Sequence, residues 1–305
     1  DATSCWRKPE SIHIWSIASS RARVTARMSD TPRTWFITGC SSGFGRSIAE
    51  AALIAGDQVI ATARNIADLE MLEHIGAGRC HTLVLDVTDA AQVQKVIQEA
   101  VQITGRLDVI VNNAGYGLIG AIEECGDEQI RRNFETNFFG TLHVIRGALP
   151  ILRSQKSGHI INISAAAAIS NYPGFGIYGA AKAAVEAMSE SLRMEVLTNG
   201  IKVTLVQPGP FRTSFIAKGI DHANPMPEYA GSSGKFAAFL KHMDGKQPGD
   251  PDRAAALIIK MVQEGKSPQR LPLGKYVVKK IRDTANSRIR ELEAWEQAAA
   301  DTDSA

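Results

Sequence analysis

A short apolar segment, a glycine-rich turn and a helical stretch follow one another where the regular part of this sequence begins. Residues 35–38 read WFIT and have the composition of a buried strand. Residues 38–45 read TGCSSGFG, and residues 47–55 have the apolar content of a helix. A strand, a tight turn and a helix within so few residues are typical of the first unit of an α/β fold.

The three glycines of this turn each suit a different task. Gly39 permits the tight turn, Gly43 lets the backbone approach a pyrophosphate, and Gly45 allows close packing of helix on strand. The free N–H groups at the start of the helix favour an anion. The pattern therefore predicts a dinucleotide-binding turn, and the alternative is a tight strand–helix turn without a ligand.

Strands and helices continue to alternate along the chain, which predicts a doubly wound parallel sheet with helices on both faces. The predicted strands are residues 58–63, 81–85, 107–111, 158–164 and 202–206, and the predicted helices are residues 66–75, 90–104, 128–150, 180–197, 253–263 and 277–296. Residues 210–250 are rich in Gly, Pro and Ser and predict a long loop.

Composition excludes several classes of protein. The 34 Lys and Arg nearly balance the 32 Asp and Glu, and a net charge of +2 argues against a nucleic-acid partner. The four cysteines form no CxxC pair and have no His at zinc-ligand spacing, so we expect no metal site and a reducing, cytoplasmic location. No apolar run approaches the roughly 18 residues of a membrane span.

Further motifs follow the glycine turn in order. Residues 112–115 read NNAG after the fourth strand, Asn137 lies in the next helix, residues 178–182 read YGAAK, and residues 208–213 read PGPFRT. Together with the TGxxxGxG spacing, these motifs resemble those of the short-chain dehydrogenase/reductase family. The resemblance implies a single-domain Rossmann fold of the α/β class and an NAD(P)-dependent alcohol dehydrogenase or ketoreductase.

We accordingly assign residues 31–296 to one NAD(P)-binding Rossmann domain whose substrate loop spans about 210–250. Residues 1–30 differ in composition, and we interpret them as a flexible extension outside this core. They are either leader sequence ahead of Met28 or a transit peptide. Residues 297–305 are predicted to be a tail.

Tyr178 and Lys182 stand four residues apart on a predicted helix, so they share one face. A nearby ammonium favours the phenolate of a tyrosine, which could then exchange a proton with a substrate oxygen while hydride moves to or from nicotinamide. The resemblance adds that Lys182 holds the nicotinamide ribose and that Asn137 helps to position a proton-relay water. Ordinary structural roles remain the alternatives for both.

The second strand ends without the acid that binds the ribose 2′-hydroxyl of NAD. Ala63 occupies that position and Arg64 follows it, and a guanidinium can pair with the extra phosphate of NADP. We predict NADP, with NAD possible if Arg64 is only a solvated charge. Asp86 either borders adenine or competes with Asp89 as a helix cap. The full predicted cofactor set is Gly39, Ser41, Ser42, Gly43, Phe44, Gly45, Arg64, Asp86, Val87, Asn113, Ala114, Gly115, Tyr178, Lys182, Pro208, Gly209 and Thr213.

One position departs from the family pattern. A serine that hydrogen-bonds the substrate oxygen stands 13 residues before the tyrosine in this family, whereas Ala165 occupies that position here. Three interpretations stay open: an engineered Ser-to-Ala change, a natural variant that uses Ser164, Ser170 or water, and a catalytically weak relative. The last includes a nucleotide-binding or sensor protein on the same fold.

The substrate is expected to contact residues 114–122, residues 165–175 and the loop after Thr213. Apolar candidates for its pocket are Phe175, Ile177, Phe211, Phe215, Met226 and Phe236, which favour a medium-sized apolar ketone or secondary alcohol. Overall likeness is to members that act on steroid- and retinoid-like alcohols. Residues 185–192, with Ala183, Ala184 and Ala187, form a small-residue helix face. The resemblance implies that this helix packs against a second subunit, so we expect a homodimer or homotetramer, and burial in the chain's own core is the alternative.

Overall fold

The computed structural model describes residues 32–303, in which seven strands form one parallel sheet and two more form a small second sheet. The predicted extension at residues 1–30 lies outside the described residues. The strands are β1 (Thr34–Ile37), β2 (Gln58–Ala63), β3 (Cys80–Val84), β4 (Val109–Asn112), β5 (Gly117–Ile119), β6 (Gly158–Ile163), β7 (Ile201–Pro208), β8 (Ile220–His222) and β9 (Arg270–Leu273).

The order β3-β2-β1-β4-β6-β7-β9 confirms the predicted doubly wound sheet. The chain builds outward from β1 to β3, then returns to the other side of β1 and continues to β9. Ile37 lies opposite Ala61 of β2 and Val111 of β4. The boundary between β1 and β4 is therefore the point at which the winding reverses, and ligands of such sheets bind at the carboxyl ends of the strands there.

Helices cover both faces of the sheet. They are α1 (Gly43–Ile54), α2 (Glu70–Gly76), α3 (Ala90–Thr104), α4 (Asp127–Phe134), α5 (Gly140–Gln155), α6 (Ala166–Ile169), α7 (Gly176–Glu195), α8 (Phe215–Lys218), α9 (Lys235–Met243), α10 (Pro251–Gln263) and α11 (Lys275–Ala300). Alternate residues of β1 enter different cores. Trp35 packs with α1 and α10, and Phe36 packs with α3 and α5, as the period of two in a strand requires.

Several boundaries differ from the prediction for local reasons. The helix expected at residues 128–150 is interrupted by a π-helical turn at Glu135–Phe139. The fourth strand begins at Val109, because the Gln155 side chain bonds both the N–H and the C=O of Leu107. Strand β9 was not predicted, since four residues that include a proline give a weak signal.

Residues 210–250 are not one irregular loop. They contain α8, β8 and α9, and β8 pairs in parallel with β5 at Gly117↔Ile220 and Ile119↔His222. We call residues 117–125 together with 215–243 the substrate lobe. It stands at the carboxyl edge of the main sheet, next to the turn between β1 and α1. The last helix continues to Ala300, beyond the predicted end at residue 296.

Candidate active site

The glycine turn lies between β1 and α1, as predicted. Gly39 and Gly43 have φ angles of +72° and +59°, which only glycine adopts freely. A Cβ on Gly45 would lie 2.4 Å from the carbonyl oxygen of Gly39. Ser42 precedes α1 without making a side-chain cap, and the first turn of α1 holds no acidic residue. The N–H groups that open α1 are thus available to an anion.

The NNAG segment after β4 holds this turn in place. The Thr38 hydroxyl accepts from the backbone N–H groups of Asn113 and Ala114, both at 3.0 Å. The Asn113 side chain donates to the carbonyl oxygens of Thr38 and Gly39 at 2.9 and 3.0 Å. The Asn113 amide therefore supports the glycine turn rather than pointing away from it toward a ligand.

Residues 208–213 run beside the same turn. A Cβ on Gly43 would lie 3.4 Å from the Cβ of Thr213. The rings of Phe44 and Phe211 are 4.9 Å apart, which braces the turn against this segment. Gly209 donates to the carbonyl of Leu273 in β9. The structure thus brings the first and last of the predicted cofactor motifs together.

The remaining predicted cofactor residues lie at neighbouring strand ends. Arg64 is exposed directly after β2 and makes no salt bridge within the described part of the chain. Asp86 accepts from both the N–H and the hydroxyl of Thr88, whereas Asp89 caps α3. The cap alternative for Asp86 is therefore wrong. Val87 is buried against Gly140.

Lys182 and Asn137 converge beside Gly115, and Tyr178 lies one helical turn before Lys182 on α7. A Cβ on Gly115 would lie 2.5 Å from Asn137 Oδ1 and 3.3 Å from Lys182 Nζ. Lys182 Nζ donates to the carbonyl of Ile163 at 3.0 Å. Asn137 lies in the π-helical turn, and such turns occur frequently at functional sites. Its Nδ2 donates to Tyr116 O at 2.8 Å, while its buried Oδ1 has no hydrogen-bond partner among residues 32–303.

Burial sets the protonation of the two titratable groups. It raises the pKa of the Tyr178 phenol above its usual value, and it lowers the pKa of Lys182 to about 8. The sequence led us to expect that Lys182 lowers the pKa of Tyr178, but desolvation by burial is what shifts it here, and it acts in the opposite direction. Burial therefore keeps the proton on the Tyr178 phenol at neutral pH, and it makes Lys182 easier to deprotonate than an exposed lysine.

Ala165 packs in the same cluster as Tyr178 and Phe175, and as an alanine it offers no hydroxyl there. Ser164 is 2% exposed, and its hydroxyl donates to Glu186 at 2.6 Å. Glu186 follows Tyr178 by eight residues on α7, about 12 Å along the helix axis. The Ser164 hydroxyl is thus committed away from Tyr178, and the structure gives no support to Ser164 as a replacement donor. Ser170 lies in a groove along α11 with Tyr276 and Lys280.

The substrate side of Tyr178 is a cluster of aromatic rings. Phe175 and Phe215 have ring centroids 5.2 and 5.9 Å from that of Tyr178, and Phe236 packs 5.2 Å from Phe175. Tyr172, which the sequence did not single out, stacks on Phe236 at 5.1 Å and 7°. Aromatic content alone gives no signal for which residues meet across such a distance in sequence.

The other apolar candidates have different surroundings. Ile177 packs with Leu118, Cys125 and Ala223 in the lobe interior. Phe211 packs on Phe44 at the edge of the main core. Only part of the predicted set therefore faces Tyr178, because an apolar side chain near a site serves the core as readily as the pocket.

A dinucleotide fits the residues present. The glycine turn offers backbone that a Cβ would obstruct, and a helix start with neither a side-chain cap nor an acidic residue in its first turn. The far end of the site offers an unpartnered buried oxygen on Asn137 and an ammonium on Lys182. Among residues 32–303 no cluster of His, Cys, Asp or Glu could hold a metal ion, and no helix has the length and hydropathy needed to cross a membrane.

A doubly wound sheet with this turn and this Tyr–Lys helix defines an oxidoreductase of the dinucleotide-fold class. The short chain dehydrogenase family model matches residues 33–223. The chain belongs to the short-chain dehydrogenase/reductase family.

Individual relatives agree with this assignment. A short-chain dehydrogenase structure from Streptomyces avermitilis superimposes with a TM-score of 0.85 at 40% identity, covering 90% of this chain and 100% of that one. The oxidoreductase BOA17 of Botryotinia fuckeliana is 36% identical, over 87% of this chain and 97% of its own. A 3-ketodihydrosphingosine reductase of Bacteroides thetaiotaomicron is 35% identical, over 81% and 89% respectively.

Proposed function

We propose that this chain is an NADPH-dependent reductase of medium-sized apolar ketones, which can also oxidise the corresponding secondary alcohols. One observation carries the proposal. Lys182 and Asn137 meet beside Gly115, in the segment that supports the glycine turn, and the buried Tyr178 stands one helical turn before Lys182 and packs in an aromatic cluster.

NADP is favoured over NAD by the end of β2. Arg64 is exposed there and free of any salt bridge within the described residues, and Ala63 leaves no carboxylate to repel a phosphate. We propose that residues 39–45 and 113–115 hold the dinucleotide, with residues 208–213 alongside. When bound, NADPH supplies the hydride.

Tyr178 serves as the general acid in the direction of reduction. Its raised pKa keeps the proton on the phenol until a carbonyl oxygen gains negative charge beside it. The Lys182 ammonium then stabilises the phenolate. Asn137 Oδ1 is placed to hold a water through which the proton is replaced, since this buried oxygen lacks a protein partner.

An apolar ketone suits the substrate side. Phe175 and Phe215 pack against Tyr178 and Phe236 packs behind Phe175, so a carbonyl that reaches the phenol brings its apolar substituents close to these rings. The relative from Bacteroides, whose name identifies a reductase of a ketone, supports this substrate class.

Ala165 supports a second candidate, a nucleotide-binding or sensor protein with weak catalysis. Without a hydroxyl at this position one donor to the developing oxyanion is missing, and such donors are worth about 10²- to 10³-fold in rate. The Ser164 hydroxyl cannot compensate because it is bound to Glu186.

The test is NADPH consumption with a panel of apolar ketones, comparing the chain with Ala165 in place, called the wild type in these tests, with Ala165→Ser. Ala167→Ser is a matched control, because Ala167 is buried in the same cluster and lies two residues further along the chain, in α6. Turnover by the wild type supports the reductase, and NADPH binding without turnover on any ketone supports the sensor. Equal turnover of wild type and Ala165→Ser would show that Ala165 is not disabling. Absence of NADPH binding in calorimetry would overturn the whole proposal.

We also propose a homodimer or homotetramer in the cytoplasm. Ala183 and Ala187 are exposed on α7, as a helix that packs closely on a second copy requires. Light scattering of the purified chain tests this, and a monomer at micromolar concentration would exclude it.

A further inference from the structure

Glu186 is a buried carboxylate for which the proposed reaction has no use. It lies two helical turns after Tyr178 and one after Lys182, on the same inward face of α7, and is 9% exposed. A carboxylate in such a place is destabilising unless it is paired and hydrogen-bonded. The hydrogen-bond partners of Glu186 therefore indicate which parts of the structure this carboxylate stabilises.

Those partners lie at the ends of two neighbouring strands. One Glu186 oxygen accepts from Ser164 Oγ at 2.6 Å and from Gln207 Nε2 at 2.8 Å. The other accepts from Gln207 Nε2 at 3.0 Å and lies 3.6 Å from Arg270 Nε of β9. Ser164 and Gln207 are 2% and 1% exposed, so these bonds are shielded from water.

Each strand end leads directly into the site. Ser164 follows Ile163, whose carbonyl holds Lys182 Nζ, and precedes Ala165, which packs on Tyr178. Gln207 precedes Pro208, where the segment beside the glycine turn begins. Through Ser164, the Glu186 carboxylate thus fixes the backbone that binds the Lys182 ammonium. Through Gln207, it fixes the start of residues 208–213.

We propose that Glu186 is a positioning residue, which holds the ends of β6 and β7 so that Lys182 and residues 208–213 keep their places around the cofactor. This rests on the proposed reductase function. Glu186 touches neither substrate nor cofactor, and it acts through Ser164 and Gln207. The same bond to Ser164 explains why that hydroxyl cannot take over the role absent at Ala165.

The conservative variant separates hydrogen bonding from charge. In Glu186→Gln, the new amide oxygen can still accept from Ser164. Its NH₂ group can donate to Gln207 Oε1, which has no partner here, once the Gln207 amide turns over. Both strand-end links then survive without the charge. Glu186→Ala removes both.

Glu190 provides the matched control. It lies one turn further along α7, is more exposed and pairs with the same Arg270, but contacts neither strand end. Glu190→Ala is expected to leave kcat and the NADPH dissociation constant unchanged.

The experiment measures kcat, the KM of the ketone and, by calorimetry, the Kd of NADPH. For Glu186→Ala we expect kcat to fall about 10- to 100-fold, as misplacement by a remote mutation does, with the KM of the ketone within about twofold. We expect the Kd of NADPH to rise at the same time, and Glu186→Gln to restore both. Wild-type values in Glu186→Ala, or equal damage in Glu186→Gln, would overturn the proposal.

Two further outcomes stay informative. If Glu186→Ala does not fold, Ser164→Ala loosens the β6 end alone and should still lower kcat, and unchanged kcat there would overturn the proposal. If no protein, wild type included, oxidises NADPH, the reductase function fails, while the comparison of NADPH affinities still decides the role of Glu186.

Discussion

The two sides of this site are held together by different forces. On the cofactor side, Thr38 and Asn113 bond to specific backbone atoms, and Gly45 occupies a space that admits no Cβ. On the substrate side, Tyr178 packs against the rings of Phe175 and Phe215, which touch it without directional bonds. Hydrogen-bond geometry dictates residue type and spacing, whereas apolar packing requires only apolar side chains of about the right volume. The cofactor side can therefore be predicted from sequence motifs, whereas the residues of the substrate side can vary with the substrate.

Tyr178 lies on the substrate side and is the proton donor of the proposed reaction, so its loss should have the largest effect. Tyr178→Phe keeps the ring within the aromatic cluster and removes only the proton donor. We expect kcat/KM for ketone reduction to fall about 10²- to 10⁴-fold, the usual contribution of a general acid. The Kd of NADPH should stay within the error of calorimetry, and a large rise in Kd would mean that the two sides are not separable at this residue.

Gly45→Ala should affect the cofactor side alone. Its Cβ would lie 2.4 Å from a backbone carbonyl and from Asn113 Nδ2, so the turn or the NNAG segment must shift. We expect a loss of about 1–3 kcal/mol in the free energy of unfolding, the usual cost of overpacking, together with weaker NADPH binding. Gly231→Ala is the control, because a Cβ there meets nothing within 4 Å. Equal behaviour of the two variants in denaturant titration would contradict the steric argument.

The same contrast explains how far sequence could predict the structure. The turn at residues 38–45 and the Tyr178–Lys182 pair follow from spacing, since each requires particular residues at fixed separations, and the doubly wound parallel sheet follows from the alternation of strands and helices. The pairing of β5 with β8 and the stacking of Tyr172 on Phe236 join segments far apart in the chain, and no local pattern marks them. Glu186 reads in sequence as an ordinary solvated helix residue. Only the tertiary structure shows that it is buried.

Phe236→Ala tests the substrate side. Removing this half-buried ring takes away apolar surface beside Phe175, and about 1 kcal/mol of lost apolar contact with the substrate corresponds to a KM for a large apolar ketone raised about fivefold. The Kd of NADPH should not change. Phe239→Ala is the control, because Phe239 is 54% exposed and stacks only on the outer side of Phe236. A larger rise in KM for Phe239→Ala than for Phe236→Ala would place the pocket elsewhere.

Lowering the pH should affect the substrate side and not the cofactor side, and this is the smallest effect that we predict. Glu124 accepts from the N–H of Met226 and of Ala121 and from the Ser233 hydroxyl, which ties together the two segments of the substrate lobe. These bonds hold the pKa of Glu124 below its usual value. A lowered carboxyl pKa means that the stabilisation is complete above the ordinary Glu pKa and is lost as pH falls through the lowered one.

Between neutral pH and the acid side of that window, we therefore expect amide exchange in residues 220–234, corrected for intrinsic rate, to rise a few-fold. Exchange in residues 38–45 should not change, since no carboxylate bonds that turn. Glu124→Gln should show the faster lobe exchange already at neutral pH and should remove its pH dependence, because an amide retains one acceptor oxygen but does not titrate. Equal acid sensitivity of both segments would mean that the sheet as a whole, rather than the lobe contact, responds to pH.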